Sequence, residues 1–471
     1  MWHAGRMDKP DGLMTPARHW AVASVALAVG MTVLDSAIAN VALPVIARNF
    51  GARPAESIWI VNAYQLAIVI SLLPLASLGE IVGFRRIYMA GLGIFTFASL
   101  ACALSPSLPA LTAARALQGF GAAGVMSVNG GLVRFIWPHR MLGRGIGLNA
   151  LVVSVASALG PTLASGILAL GPWPWLFAVN IPIGLAALVL ASRVLPSNPL
   201  SGRRFDVVSA TLNALTFGLV ITGADVVTRT SAKIWGAIEL AAGFAFGALL
   251  VRREWPRRRP LVPFDLLRSR IFALSVATSI ASFAAQTLAI VSLPFHFEIS
   301  LHRTQVATGL LMTPWPVAVA ILAPVAGWLS DKVSAALLGA AGLMMMAAGL
   351  AALVLLPPGA GDLDITWRMA LCGAGFGLFQ SPNNRLMLTS APLERAGAAG
   401  GMLGTARLTG QTLGAVLTAI LFDLFASRGE TIALEVAAAF ALVAAAVSAM
   451  RLRRDTAGGG ASGHPLAETE T

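Results

Sequence analysis

The chain has 471 residues, of which 57% are hydrophobic and only 11% charged, a balance that excludes an ordinary water-soluble domain and points to an integral membrane protein. Its formal charge of +12 is spread over many short stretches, which argues against a nucleic-acid-binding face. The two cysteines, Cys102 and Cys372, both lie in apolar runs and suggest neither a disulfide framework nor a metal cluster.

The N-terminal stretch MWHAGRMDKPDGLMTPARHW places basic residues before an apolar run, as a signal peptide does. That run extends from about Trp20 to Pro44, too long for a signal-peptide core and without a small-residue cleavage site, so it is read as a retained first span. Gly, Pro and charge clusters then divide the chain into fourteen expected spans: 20–44, 58–79, 86–105, 108–134, 142–169, 174–195, 207–226, 233–252, 271–297, 305–329, 333–357, 366–389, 397–425 and 431–451. Most of the 33 Lys and Arg residues fall on one side of the membrane if both termini are cytoplasmic. The other side receives Arg48, Arg53, Arg229, Lys233, Arg303, Arg368 and Arg428, and Arg115 and Arg407 lie within spans. This bias fits the positive-inside rule only for an even number of spans.

The chain also repeats itself. ASLGEIVGFRR (Ala76 to Arg86) follows the second span and GWLSDKVS (Gly327 to Ser334) follows the tenth, each with an acid four residues after a small residue. The expected organisation is a cytoplasmic tail (1–19), an N-terminal six-helix bundle (20–200), an inserted helix pair with a basic linker (201–268), a C-terminal six-helix bundle (269–452) and a disordered cytoplasmic tail (453–471). Tandem halves of this kind suit alternating access around a midplane site.

Several motifs, in order, resemble the major facilitator superfamily, in particular its 14-span drug:proton antiporter branch. LDSAIANVALPVI (Leu34 to Ile46) is similar to the branch's first-helix signature, with Asp35 at the acidic position. ASLGEIVGFRR resembles the loop motif between spans 2 and 3, although Ala76, Glu80 and Phe84 depart from it. RALQGFGAAG (Arg115 to Gly124), ALGPTLASG (Ala158 to Gly166) and WLFAVNIPIG (Trp175 to Gly184) resemble the motifs of helices 4, 5 and 6. LPFHFE, TGLLMTPWPVAVAILAPVAGWLSDK and TARLTGQTLGA resemble segments of the second half. Span 13 carries Arg407 and Gln411 where some members have an acid, a departure that speaks against dicationic cargo. The resemblance implies an all-α integral membrane protein of the major facilitator fold, two six-helix bundles plus two inserted helices, fourteen transmembrane helices in all.

A charged carboxylate inside a span costs about 2.5–3.5 kcal/mol on insertion scales. Such a carboxyl readily takes up a proton, because desolvation disfavours its charged form. Asp35 is therefore expected to exchange a proton for cargo; the bland alternative is a helix–helix hydrogen bond involving Ser36 or Asn40. At about 1.5 Å per residue from Trp20 it falls roughly 22 Å into a core about 30 Å thick, past the midplane. Arg115 is expected either to tune that site or to form a structural ion pair, with Gln118 at i+3 extending the polar network. Glu298, at the outer end of span 9, is a second acid for proton coupling or a solvated residue. Glu239 is expected to face a neighbouring helix or the headgroups.

Gly119, Gly121 and Gly124 let helices approach closely. Gly160 and Pro161 either bend span 5 as a hinge or belong to ordinary membrane-helix packing. Glu80, Gly83, Arg85 and Arg86, with Asp331 and Lys332, are expected to gate the cytoplasmic face through weak ion pairs. For the cargo cavity the candidates are Trp59, Asn62, Tyr64, Gln65, Gln118, Gln286, Phe295, Gln380, Asn383 and Asn384, with aromatic faces favouring cations.

With no P-loop, metal-ligand spacing or nucleophile–base pair in the sequence, enzyme chemistry and cofactors are not expected. The reading is a proton-coupled exporter of amphipathic, cationic compounds in the bacterial inner membrane, a monomer whose partners are a small-molecule substrate, protons and the bilayer. Rival readings are an exporter of one endogenous metabolite, a non-transporting membrane sensor and, remotely, an enzyme with a lipid substrate.

Overall fold

The computed structural model describes residues 12–138, 141–198, 200–202, 204–227, 232–257, 264–330, 332–357, 359–391, 396–425 and 427–452. Among them each expected span forms a helix. The first half contains α1 (Ala17–Phe50), α2 (Pro54–Val82, interrupted at Ile58), α3 (Phe84–Ala103), α4 (Leu108–Ile136), α5 (Leu142–Leu170) and α6 (Trp175–Val194, interrupted at Val179). The inserted pair is α7 (Val207–Val226) and α8 (Lys233–Glu254). The second half contains α9 (Arg270–Ser300, ending in a π-helical turn), α10 (Gln305–Leu329, interrupted at Thr313), α11 (Ala335–Val354), α12 (Asp362–Thr389), α13 (Ala396–Leu424) and α14 (Gly429–Ala449).

Eleven of these are long and apolar enough to cross a membrane by length and composition. The other three, α4, α12 and α13, are as long but carry the interior's polar residues, among them Arg115, Gln118, Gln380, Asn383, Arg407 and Gln411. Lipid does not see those side chains, so the lower hydropathy reflects what the helices hold between them.

The two halves repeat the same packing. In the first, α4 packs on α2 and α3, α1 on α5 and α6, and α3 on α6; in the second, α12 packs on α10 and α11, α9 on α13 and α14, and α11 on α14. Between the halves, α5 meets α10 and α2 meets α13, which is the same relation repeated. The repeat extends to backbone approach. A Cβ on Gly124 of α4 would stand 2.8 Å from the Gly91 Cα of α3, and one on Gly342 of α11 would stand 2.5 Å from the Gly375 carbonyl oxygen of α12. Small residues are the means by which helices in lipid, lacking a hydrophobic driving force between them, gain close van der Waals contact.

The inserted pair is sealed in the same way, since a Cβ on Gly223 would meet Leu240 N at 2.8 Å. It lies against α2 and α13, where Asn213 donates to the Ile70 carbonyl at 3.1 Å. Glu239 faces a neighbouring helix as expected, accepting from Thr222 Oγ1 at 2.8 Å. The even number of helices puts the start of α1 and the end of α14 at one face, called here the terminal face.

Candidate functional site

Asp35 stands near the middle of the 34-residue helix α1, one turn beyond the buried Thr32. The helix outruns the expected 20–44 span at both ends, so the carboxylate is central rather than displaced toward one face. It is 1% exposed, as is Arg115, and the two form an ion pair of 2.5 Å between Oδ2 and Nη1. Oδ1 accepts from Gln118 Nε2 at 2.9 Å and from Asn180 Nδ2 at 2.7 Å. Gln118 in turn donates to Ser99 at 2.8 Å, and Arg115 Nε donates to the Ile60 carbonyl at 3.3 Å. Five helices of one half thus contribute to one network, of which α4 and α6 reach the carboxylate directly. The hydrogen-bond alternative through Ser36 or Asn40 is not what forms; a charge-assisted network does, as burial of an ion requires.

Helical spacing explains the separation of this network from the space between the halves. Thr32, Ser36 and Asn40 follow one stripe of α1 and line a central cavity, whereas Asp35 points into its own half. The cavity has a volume of about 210 Å³ and is walled by α1, α2, α4 and α5 on one side and α9, α10, α12 and α13 on the other. That is below the usual range for drug-sized pockets, so it suits a small molecule rather than a chain segment. Tyr64 closes the wall between the two sites. Its ring faces the cavity and lies under the Arg115 guanidinium, 4.1 Å from Cζ to the ring centroid, and its hydroxyl donates to the Thr32 carbonyl at 3.4 Å.

Of the proposed cargo residues, Tyr64, Gln65, Gln286 and Gln380 line the cavity. The others are held elsewhere. Trp59 donates to Asp225 at 3.1 Å, Gln118 belongs to the Asp35 network, and Phe295 packs edge-on against Phe422 at 5.2 Å in the core. Asn62 is 1% exposed and away from the cavity. Asn383 donates to Ser279 at 2.8 Å and accepts from Arg451 at 2.8 Å, and Asn384, next along α12, is not in the cavity wall. A polar residue in an apolar run marks a buried partner as readily as a ligand, and periodicity alone does not say which face it occupies.

The cavity wall contains no Asp or Glu among the described residues; its one formally charged side chain is that of Arg407. The expected attraction of cations by aromatic faces meets an obstacle here. The Tyr64 ring is faced by Arg115 and the Phe283 ring by Arg407 at 5.9 Å, which leaves Trp315 and Phe376 as the rings of the wall with no cation against them among the described residues.

The gating expectation also changes. Arg85 donates to the Ser192 carbonyl and Arg86 to the Val82 carbonyl at 3.3 Å, so both guanidinium groups serve the helix ends of the first half. Lys332 lies over Trp328 at 4.3 Å, and Asp331 lies outside the described residues. Glu80 is exposed; its carbonyl accepts from Ser201 N at 2.8 Å. Gly83 has φ +111°, a conformation that favours glycine and turns α2 into α3. Gly160 packs onto Ala37 of α1, and Pro161 lines the cavity.

Two ion pairs join the halves at the face opposite the termini. Glu298, only 3% exposed and remote from the cavity, pairs with Arg48 at 2.6 Å, and Arg53 pairs with Asp423 at 2.9 Å. Thr162 of α5 and Thr313 of α10 add a hydrogen bond of 2.8 Å nearby. Sequence reasoning placed Arg48 and Arg53 in loops and did not pair them. It also missed Asn180, whose only signal was a lone amide in an apolar span.

The profile of the Major Facilitator Superfamily matches residues 25–415. The chain is 53% identical over 444 residues to "Uncharacterized transporter YebQ" of Escherichia coli (strain K12), covering 94% of this chain and 97% of that protein. It is 34% identical to "Multidrug resistance protein Stp" of Mycobacterium tuberculosis (strain CDC 1551 / Oshkosh), covering 83% of this chain and 73% of that protein. Among solved structures, a bacterial homologue of the human lysosomal transporter Spinster, in an inward-facing and unoccupied conformation, superimposes with a TM-score of 0.68 at 15% identity. That likeness covers 94% of this chain and 98% of the other.

Proposed function

We propose that this chain, which belongs to the major facilitator superfamily, is a proton-coupled exporter that moves amphipathic compounds out of the cell by alternating access. Membership makes it a multi-pass membrane transporter and not an enzyme. Export is favoured by similarity to a multidrug resistance protein. The observation that carries proton coupling is the isolated Asp35 network one helix face away from a cavity shared by both halves.

Ionised Asp35 is matched by Arg115, and the pair holds α1 and α4 together. Protonation removes the negative partner and leaves Arg115 buried and uncompensated, which favours rearrangement of the half. Helix α1 is the connecting rod: it carries Asp35, the cavity residues Ser36 and Asn40, and Arg48 of the opposite-face ion pair. Pro44 lies between the proton site and Arg48 and leaves one backbone carbonyl without its usual donor, a place for the rod to bend. Coupling in this scheme passes through helix movement rather than through competition of proton and cargo for one carboxylate. With the terminal face cytoplasmic in a bacterial inner membrane, the Arg48–Glu298 and Arg53–Asp423 pairs close the exterior. Glu80, Gly83, Arg85, Arg86, Asp331 and Lys332 would then act at the cytoplasmic face in the opposite half of the cycle, and one chain suffices for both sites.

The test uses proteoliposomes with an imposed pH gradient and a panel of amphipathic dyes of either charge. Wild type should exchange at least one dye for protons, and Asp35→Asn should abolish the exchange while the protein stays inserted. Normal proton-driven exchange by the variant would remove Asp35 from the mechanism.

A further inference from the structure

We infer that the central cavity takes an acidic amphipathic cargo, a small molecule with an aromatic or apolar body and a carboxylate or similar anionic group, and that Arg407 binds the anion. This deepens the proposed transport function and rests on it for the role of the cavity.

Charge inventory is the first argument. Arg407 opens into the cavity from α13, and no acid shares the wall with it among the described residues. The nearby carboxylate of Asp35 is fully engaged by Arg115, Gln118 and Asn180, with Tyr64 closing the wall between. Arg407 therefore faces the cargo space as an unneutralised cation. Its Nε is buried without a hydrogen-bond partner among the described residues, and its guanidinium lies 5.9 Å from the centroid of the Phe283 ring. A buried guanidinium with donors to spare is a costly arrangement unless an anion arrives to satisfy it.

A second donor supports the same chemistry. Trp315 of α10, also in the wall, has an indole N–H buried without a partner. Arginine and tryptophan supply hydrogen-bond donors only, so neither offers a lone pair to an ammonium group, and the indole face is left as the one feature of the two that attracts a cation. The amides of Gln286, Gln380 and Gln411 accept the neutral polar parts of a cargo of either sign and do not alter the balance. Of the four rings in the wall, Tyr64 and Phe283 already face Arg115 and Arg407, whereas Trp315 and Phe376 face no cation among the described residues, so it is the charge of Arg407 and not a lack of rings that disfavours a cation. An anion gains a charge-assisted pair on entry, whereas a cation meets a like charge with no acid in the described wall to offset it.

The test is equilibrium binding to the purified full-length protein, with 2-naphthylacetate, its neutral amide and (2-naphthylmethyl)trimethylammonium as probes of one shape and three charges. Wild type should bind the carboxylate about tenfold or more tightly than the amide, and the cation most weakly. Arg407→Gln should erase the preference for carboxylate over amide, and Arg407→Lys should keep part of it; elution as a single species checks that each variant is folded. The proposal fails if wild type binds the cation as tightly as the carboxylate, if the carboxylate shows no saturable binding, or if Arg407→Gln keeps the full preference. Because binding is measured without a gradient, loss of proton coupling in the Asp35 experiment leaves this result intact, and the two ideas fail separately.

Discussion

Asp35 and Arg115 come from different helices, are each 1% exposed, and meet at 2.5 Å in a network that also holds Gln118 and Asn180. A buried pair of this kind is weak support for stability as such, but breaking it from one side is expensive, on the order of 3–5 kcal/mol, because a lone charge stays behind. Arg115→Gln should therefore destabilise strongly, and Asp35→Asn/Arg115→Gln should recover much of the loss. Thermal unfolding in detergent at fixed lipid content measures both. Equal losses in the single Arg115 variant and the double variant would mean that the pair does not act as a unit.

Glycine spacing supplies a sharper packing test. Gly121 of α4 approaches the backbone of Phe95 and Gly91, so Gly121→Val has no room and should cost at least about 1–3 kcal/mol. Gly93, on α3, has nothing within 4 Å of an added Cβ, and Gly93→Val should fold nearly as well as wild type. The yield of monodisperse protein, followed by melting temperature, separates the two. Similar behaviour of both variants would contradict the close α3–α4 approach.

The junction of the inserted pair gives a prediction about pH. At the terminal face, Asp206 caps α7 and pairs with Arg253 at 3.3 Å and with Arg257, which also reaches Glu254 at 2.7 Å. Partial burial pushes the Asp206 carboxyl upward, but hydrogen bonds from Arg257 and Ser209 outweigh it and hold the group well below its ordinary value of 3.8. A depressed folded-state value means that the contribution is fully present above the unfolded value and is lost as pH falls through the folded one. Hydrogen exchange at the start of α7 should thus be flat from pH 8 to about pH 5 after correction for intrinsic rates, and Asp206→Asn should raise it throughout that range. A marked rise in wild-type exchange already between pH 7 and pH 5 would rule this out.

Length and polarity made the fold legible: runs of about twenty apolar residues, interrupted by charge, fix where helices cross, and the repeated loop motif reveals two halves. Asp35, Arg115 and Gln118 were legible together because an ionisable residue in an apolar helix must find partners. What could not be read was direction. Asp35 and Ser36 are neighbours in sequence, yet one faces the interior of its half and the other the cavity, and only the packing of α1 decides which. Long-range pairs were equally hidden. Arg53 and Asp423 lie 370 positions apart, and nothing in either local sequence announces the other.

Those long-range pairs make the last prediction. Arg48 is half exposed while Glu298 is 3% exposed, and one carboxylate oxygen of Glu298 is buried without a hydrogen-bond partner among the described residues. Such a latch sits between a surface pair, worth about 0–1 kcal/mol, and a costly buried one, so removing it should shift the population open at this face by up to about fivefold. Glu298→Gln in a Ser36→Cys background puts a reporter in the cavity wall, and the native Cys102 and Cys372, each 0% exposed, contribute little labelling. A membrane-impermeant thiol reagent added to intact cells should label the double variant faster than the Ser36→Cys protein alone, and Arg48→Gln should act in the same direction. Unchanged labelling in both would show that this face is held shut by α5 and α10, where Thr162 meets Thr313, and not by the ion pair.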